Sequence, residues 1–189
     1  MKKTLLILCA GLMFVAACKD DSGPTPEPGV TSNFKFSTPA FDDGDTIPVK
    51  YSCDGANVNP KLVWSGAPDS TKSIAIIIDD PDAVPVAGYV WNHWLLCNIL
   101  PSNTSIKEGA STLDIGVMSG VIIKNSFGLL GYGGPCPPPD QDHTYEFKIY
   151  ALDIKVLPNI AAGSNKAQFE AAIATHLLDK ASFTGTFSH

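Results

Sequence analysis

Eight residues, Lys72 to Asp79, read KSIAIIID, and they narrow the fold more than any other stretch of the chain. Isoleucine is stiff at χ1 and packs well on a pleated surface. A strand that is apolar at consecutive rather than alternate positions has no face to give to water, so it belongs inside a sheet covered on both sides. NFKFS (33–37), DTIPVKYSC (45–53), HWLLCNIL (93–100) and HTYEFKIYALDI (143–154) read as further strands, and Pro48 in the second suits an edge. Turn-rich segments such as SCDGANVNP and WSGAPDST separate them. Helical periodicity is clear only in NKAQFEAAIATHLLDKA, where Phe169, Ile173 and Leu177 recur every four residues and predict one amphipathic helix. SFTGTFSH (182–189) is expected to form a last short strand. The reading is a mainly-β domain over residues 34–189, with a peripheral helix near the C-terminus, and that length suits a single domain.

What precedes residue 34 has a different character. Residues 1–17 combine Lys2 and Lys3 with an apolar run from Leu5 to Ala17, the pattern of a secretory signal rather than a membrane span. Val15-Ala16-Ala17-Cys18 resembles the bacterial lipobox, which makes residues 1–17 a lipoprotein signal peptide and Cys18 the lipidated first residue. Residues 18–33 hold almost no large apolar side chain and are expected to be a flexible tether. Lys19-Asp20-Asp21 resembles the surface-export signal of Bacteroidetes-type lipoproteins, and reads equally well as a solvated charge run. The expected location is the bacterial cell envelope, reached through a lipid anchor. The outer membrane and its surface are the finer expectation, since lysine rather than aspartate follows Cys18.

Charge removes other classes. Loss of residues 1–17 takes away Lys2 and Lys3, so 13 basic residues become 11 against 19 acidic ones, and the net charge moves from −6 to −8. The chain has no arginine. Nucleic acid, which needs clustered cations, is therefore not an expected partner. Any anion site has to work without a bidentate guanidinium. Of the five cysteines, Cys9 leaves with the signal and Cys18 takes lipid, while Cys97 lies in an apolar run as a buried thiol. Cys53 and Cys136 share loop-like settings and form a candidate disulfide outside the cytoplasm.

Four polar stretches interrupt the apolar pattern at strand ends: SCDG (52–55), DDPDA (79–83), WNH (91–93) and the Gly/Pro-rich GYGGPCPPPDQDH (131–143). Asp80 and Asp82 flank a proline directly after the buried strand. Such a pair can orient a histidine, meet an ammonium, bind a hard cation or simply cap an Asx turn. His93 and His143 each stand as the last polar residue before a buried strand. Two histidines and two carboxylates converging at strand ends, beside glycine-rich backbone, can make an anion pocket. The same set suits Zn²⁺ or Fe²⁺, but its spacing lacks a compact ligand signature, so neither metal nor other cofactor is expected. His176 is expected at the helix's solvent edge, and His189 outside the ordered fold. No G-x-S-x-G, P-loop, H-E-x-x-H or G-x-G-x-x-G occurs, so no catalytic residue is assigned. A Cys136–His143 nucleophile–base pair is an alternative, disfavoured by the prolines around the cysteine.

DDPDA, WNHWLLCNI and GYGGPCPPPDQDHTYEFKIYALD, in this order, resemble the phosphatidylethanolamine-binding protein family, most of all its bacterial Raf-kinase-inhibitor-like branch. SCDGANVNPKLVW and the closing SFTGTF extend the resemblance over residues 34–188. It implies a large central antiparallel sheet, a smaller second sheet and peripheral helices. It also implies a small pocket for phosphate, acetate or a phospholipid headgroup, and no defined catalysis. Carried over by motif, the ligand-binding set is Asp80, Asp82, His93, Gly134, Pro135, His143 and Tyr145. The two histidines would donate to the anion, the aspartates would fix their imidazoles, and Gly134 and Pro135 would form the wall. Where the family carries an arginine between that histidine and tyrosine, this chain has Thr144, and the site lacks that charge. The expected function is a lipid-anchored binding module. One alternative is an inhibitor of an unidentified protein partner, docked through loops such as 102–130; another is a metal-dependent or cysteine-based hydrolase.

Overall fold

A computed structural model of the protein describes residues 32–110, 123–161 and 163–189, which belong to a single compact unit, Ser32–His189. The segment expected as a signal peptide, Cys18 and the expected tether up to residue 31 lie outside the described residues, as does part of the 102–130 loop.

Among the described residues, seven strands form two antiparallel sheets. β1 (Lys35–Ser37), β2 (Leu62–Ser65) and β5 (Ser105–Ile106) make a small sheet in the order β1-β2-β5. β3 (Ser73–Asp80), β4 (Trp91–Ile99), β6 (Asp142–Leu152) and β7 (Leu177–Ser188) make the larger one, ordered β4-β3-β6-β7. The expected large and small sheets are thus both present. All eight residues of β3 are buried, as its unbroken apolar run requires. Alternate side chains separate into two cores. Ile74, Ile76 and Ile78 pack with Phe36, Leu62 and Trp64 of the small sheet. A four-residue helix α1 (Val84–Ala87) follows β3, and Ala75 and Ile77 pack on the other face with Phe169 and Ile173 of the second helix, α2 (Lys166–Thr175). Cys97 is a buried free thiol in this second core, and burial pushes it up to about 12.

Four local expectations are corrected. DTIPVKYSC is no strand: Thr46 makes one isolated bridge to Thr186, and Val49–Tyr51 curls into a 3₁₀ turn closed by Tyr51 N–H on Pro48 O. Proline cannot donate to a ladder but starts such a turn well. The amphipathic helix ends at Thr175, so Leu177 begins β7 and is 41% exposed. The expected short last strand is accordingly twelve residues long. His189 is held by the fold, its Nδ1 3.0 Å from Asp54 Oδ2. His176 caps α2 at its C-terminus and meets Asp153 at 2.8 Å.

Candidate functional site

The aspartates at the end of β3 part company because strand alternation sends neighbours to opposite faces. Asp79 turns toward α2, where Lys148 Nζ lies 2.6 Å and Lys166 Nζ 3.2 Å from its Oδ2. Asp80 turns the other way and uses both oxygens. Its Oδ1 accepts from Ala83 N–H at 3.0 Å, capping the 3₁₀ turn Pro81–Ala83, and its Oδ2 lies 2.8 Å from His143 Nδ1. Capping and orienting a histidine, alternatives in the sequence, are here the work of one carboxylate. Asp82 fixes no imidazole: its Oδ2 accepts from the Thr144 backbone N–H at 2.7 Å. Thr144 thus serves through its backbone.

His93 owes its position to a β-bulge. Across β3 and β4, Ile78 pairs with Trp94 while Asp79 pairs with Asn92, which leaves His93 as the extra residue. In regular alternation it would share a face with Leu95 and Cys97 of the helix-side core. The bulge re-aims it. Its ring instead meets Tyr145 edge-on at 5.1 Å, on the face shared by His143. Gly133 then clamps it from both sides: Gly133 N–H donates to His93 O at 3.0 Å, and His93 Nδ1 donates to Gly133 O at 2.7 Å. Among the described residues no aspartate hydrogen-bonds this ring, contrary to expectation. With Nδ1–H committed, Nε2 carries the lone pair of a neutral imidazole. It is buried and has no hydrogen-bond partner among the described residues. Burial holds the His93 pKa below its ordinary value, partly offset by the Gly133 carbonyl and the Asp80 charge.

The loop before β6 is built for close approach. A Cβ on Gly134 would come within 2.2 Å of Tyr51 O, and one on Gly133 within 2.6 Å of the Phe127 ring. Gly134 N–H donates to Asn57 Oδ1 at 2.7 Å, and Pro135 O accepts from Cys53 N–H at 3.0 Å. The Cys53–Cys136 disulfide is present, closing the same two loops. It leaves no thiolate on Cys136, so the cysteine nucleophile has no basis while that bond is intact.

Between these elements lies a cavity of about 150 Å³. Asp80, His93 and His143 give it polar walls; Cys136, Pro137 and Pro138 form one side. Gly134 and Pro135, expected as the wall, stand one step back and fix the loop that makes it. Tyr145 packs behind the two histidines, its hydroxyl buried, and burial lifts its pKa far above the ordinary value, with Asp80 adding to the effect. Sequence reasoning missed Trp91, Phe127, Val86, Gln141 and Asn125. Trp91 and Phe127 line the cavity; Val86, 61% exposed, and Phe127, 40% exposed, make an apolar lip. Trp91 also carries a buried indole N–H without a partner. Gln141 Oε1 meets His143 Nε2 at 3.0 Å. Asn125 ties the 123–131 loop to the His93 and Gly131 carbonyls and accepts from Phe127 and Leu129 N–H groups. The only sequence signal for it was an asparagine opening N-S-F-G, a turn-forming string.

A family model described as phosphatidylethanolamine-binding protein matches residues 37–188. Among curated relatives, a UPF0098 protein of Methanothermobacter thermautotrophicus is 40% identical over 155 residues, covering 80% of this chain and 97% of its own. The putative lipoprotein LppC of Mycobacterium tuberculosis is 39% identical over 165 residues, covering 86% and 76%. Two crystal structures superpose with a TM-score of 0.73. The putative phosphatidylethanolamine-binding protein homologue CT736 of Chlamydia trachomatis is 34% identical, covering 84% of this chain and 99% of its own. Escherichia coli YbcL is 30% identical, with 82% and 98% covered.

Proposed function

The chain belongs to the phosphatidylethanolamine-binding protein family, and from that premise we propose that it is a lipid-anchored binding module of the bacterial envelope whose cavity takes a small anion without a catalytic step. The anion is a free phosphate or carboxylate, or the phosphate of a phospholipid headgroup. The observation that carries this reading is the buried, unpartnered Nε2 of His93 at a cavity of about 150 Å³. A buried polar atom without a partner is costly, and a ligand can remove that cost.

The neutral ring sets a condition on the ligand. Nε2 offers a lone pair, so an anion binds only if a proton arrives with it, either on His93 or on the ligand itself. Trp91, which lines the cavity, carries an indole N–H donor without a partner among the described residues, and the His143 ring faces the Asp80 charge. Binding should therefore take up a proton and tighten as pH falls from 8 toward 6. Calorimetry with inorganic phosphate and with phosphoethanolamine, on the wild type and His93→Ala, tests this. Runs in two buffers of different ionisation enthalpy would read the proton. Equal affinity of the two proteins, or no binding by the wild type, overturns the assignment. Tighter binding of phosphoethanolamine than of phosphate would favour the headgroup.

Anchoring rests on Val15-Ala16-Ala17-Cys18 and on the lipoprotein name of the Mycobacterium relative. Outer-membrane placement with surface exposure is the finer form of the same proposal. Cys18→Ala should abolish labelling by a palmitate analogue and release the protein from the membrane fraction. A second reading, an inhibitor that docks on a protein partner, is favoured by the exposed lip of Val86 and Phe127. Asp replacements there should then abolish partner capture while leaving phosphate binding intact.

A further inference from the structure

Beside the proline-rich loop, three segments remote in sequence meet. The Cys53–Cys136 disulfide is accessible, with Cys136 exposed, and His189 Nε2 lies 3.9 Å from Cys53 Sγ. The other ring nitrogen, Nδ1, is 3.0 Å from Asp54 Oδ2. A carboxylate on Nδ1–H leaves the lone pair on Nε2, which is how a metal-binding histidine is oriented. The two sulfurs and Nε2 all lie within 4.8 Å of one another. While the sulfurs share a bond, neither is a thiolate and the group cannot close on a cation.

We propose that Cys53, Cys136 and His189, with Asp54 behind the imidazole, form a redox-gated Zn²⁺ site: a disulfide when oxidised, a metal centre when reduced. A dithiol reductant supplies two electrons and two protons. Its own sulfurs become a disulfide, the Cys53–Cys136 bond breaks, and each cysteine sulfur takes a proton. Zn²⁺ then displaces those two protons as the thiolates coordinate, and neutral His189 adds its Nε2 lone pair. Water completes a four-coordinate shell. Two thiolates and an imidazole are a donor set zinc favours.

The frame suits both states. Tetrahedral zinc with Zn–S of about 2.3 Å needs sulfurs roughly 3.8 Å apart, so the pair has only to part and turn. Three hydrogen bonds hold the two loops together without the disulfide: Cys53 N–H on Pro135 O at 3.0 Å, Gly134 N–H on Asn57 Oδ1 at 2.7 Å, and the Tyr132 hydroxyl on Tyr51 O at 2.9 Å. Pairing of β7 with β6, Asp142 opposite Ser188, brings His189 alongside.

The test is a Zn²⁺ titration of the full chain, oxidised and after reduction by a phosphine, against a chromogenic chelator, with Co²⁺ as the spectroscopic probe. The reduced chain should bind one equivalent, with a thiolate-to-cobalt charge-transfer band, and the oxidised chain none. His189→Ala should weaken binding at least tenfold, and Asp54→Asn by about tenfold. Should reduction unfold the chain, Zn²⁺ is expected to restore its near-UV circular dichroism. The proposal fails if the reduced wild type binds no more tightly than a Cys53→Ser/Cys136→Ser variant. It fails equally if His189→Ala binds like the wild type, or if an unfolded reduced chain is not restored by Zn²⁺.

Discussion

Asp79 has no exposed side-chain surface, and two lysines converge on its Oδ2 while its Oδ1 has no partner among the described residues. Burial works against the charge of both Asp79 and Lys148. At Lys148 the Asp79 hydrogen bond and charge outweigh it, holding the ammonium well above its ordinary 10.5. The sign follows: Lys148 contributes stability that is complete below about pH 10.5 and is lost as pH rises through the higher folded value. Removing Lys148 leaves the buried carboxylate with only the longer contact to Lys166, so Lys148→Met should cost about 2–4 kcal/mol in urea unfolding. A double change to Asp79→Leu/Lys148→Met should cost less than that single one, because no buried charge is left alone. His93 behaves in the opposite sense. Burial lowers its pKa below 6.5, so the unfolded chain takes the proton first. Its contribution is present above pH 6.5 and falls away as the solution is acidified toward the folded value. His93→Asn keeps a donor toward Gly133 O but cannot titrate, and its stability should fall less steeply between pH 6.5 and 5.

Strand β3 was legible because an apolar run with no polar partner positions leaves a single physical solution, burial on both faces. The motif residues around it were legible as types at strand ends, and the structure brings Asp80, His93 and His143 to one cavity. The bulge that re-aims His93 was not legible, since it is a property of the pairing between β3 and β4 rather than of either strand alone. The helix end misled for a similar reason. Phe169 and Ile173 fit helical spacing and are buried, but Leu177 repeats that spacing by chance. Pairing with β6 from Leu152↔Leu177 onward draws the segment into β7 instead. The helix start was open to reading, although it was not read: Asn165 and Gln168 form a reciprocal capping box. Asn165→Ala should therefore lower stability by about 1 kcal/mol, measured as a shift in urea midpoint with unchanged slope. At the other end of the scale, Gly134→Ala drives a methyl into Tyr51 O and should cost about 3 kcal/mol.

Across the whole molecule, one end of the larger sheet gathers the loops near 53, 80 and 135 and the close of β7, and no two of these are neighbours in sequence. Such convergence can be held by the sheet, by hydrogen bonds or by the disulfide, and the three act on different states of the chain. The hydrogen bonds between the loops act in the folded state. The disulfide joins residues 83 apart and acts mainly on the unfolded chain, whose freedom it limits by roughly 4–5 kcal/mol on the loop-entropy view. Cys53→Ser/Cys136→Ser should accordingly lower the unfolding free energy by that order while leaving the cavity standing. Phosphate affinity at fixed pH should then change by less than about threefold, and the urea slope should rise because a freer unfolded chain exposes more surface. If affinity instead collapses together with stability, the disulfide is shaping the folded loop itself. The hydrogen bonds of Gly134, Cys53 and Tyr132 would then be insufficient to frame the site.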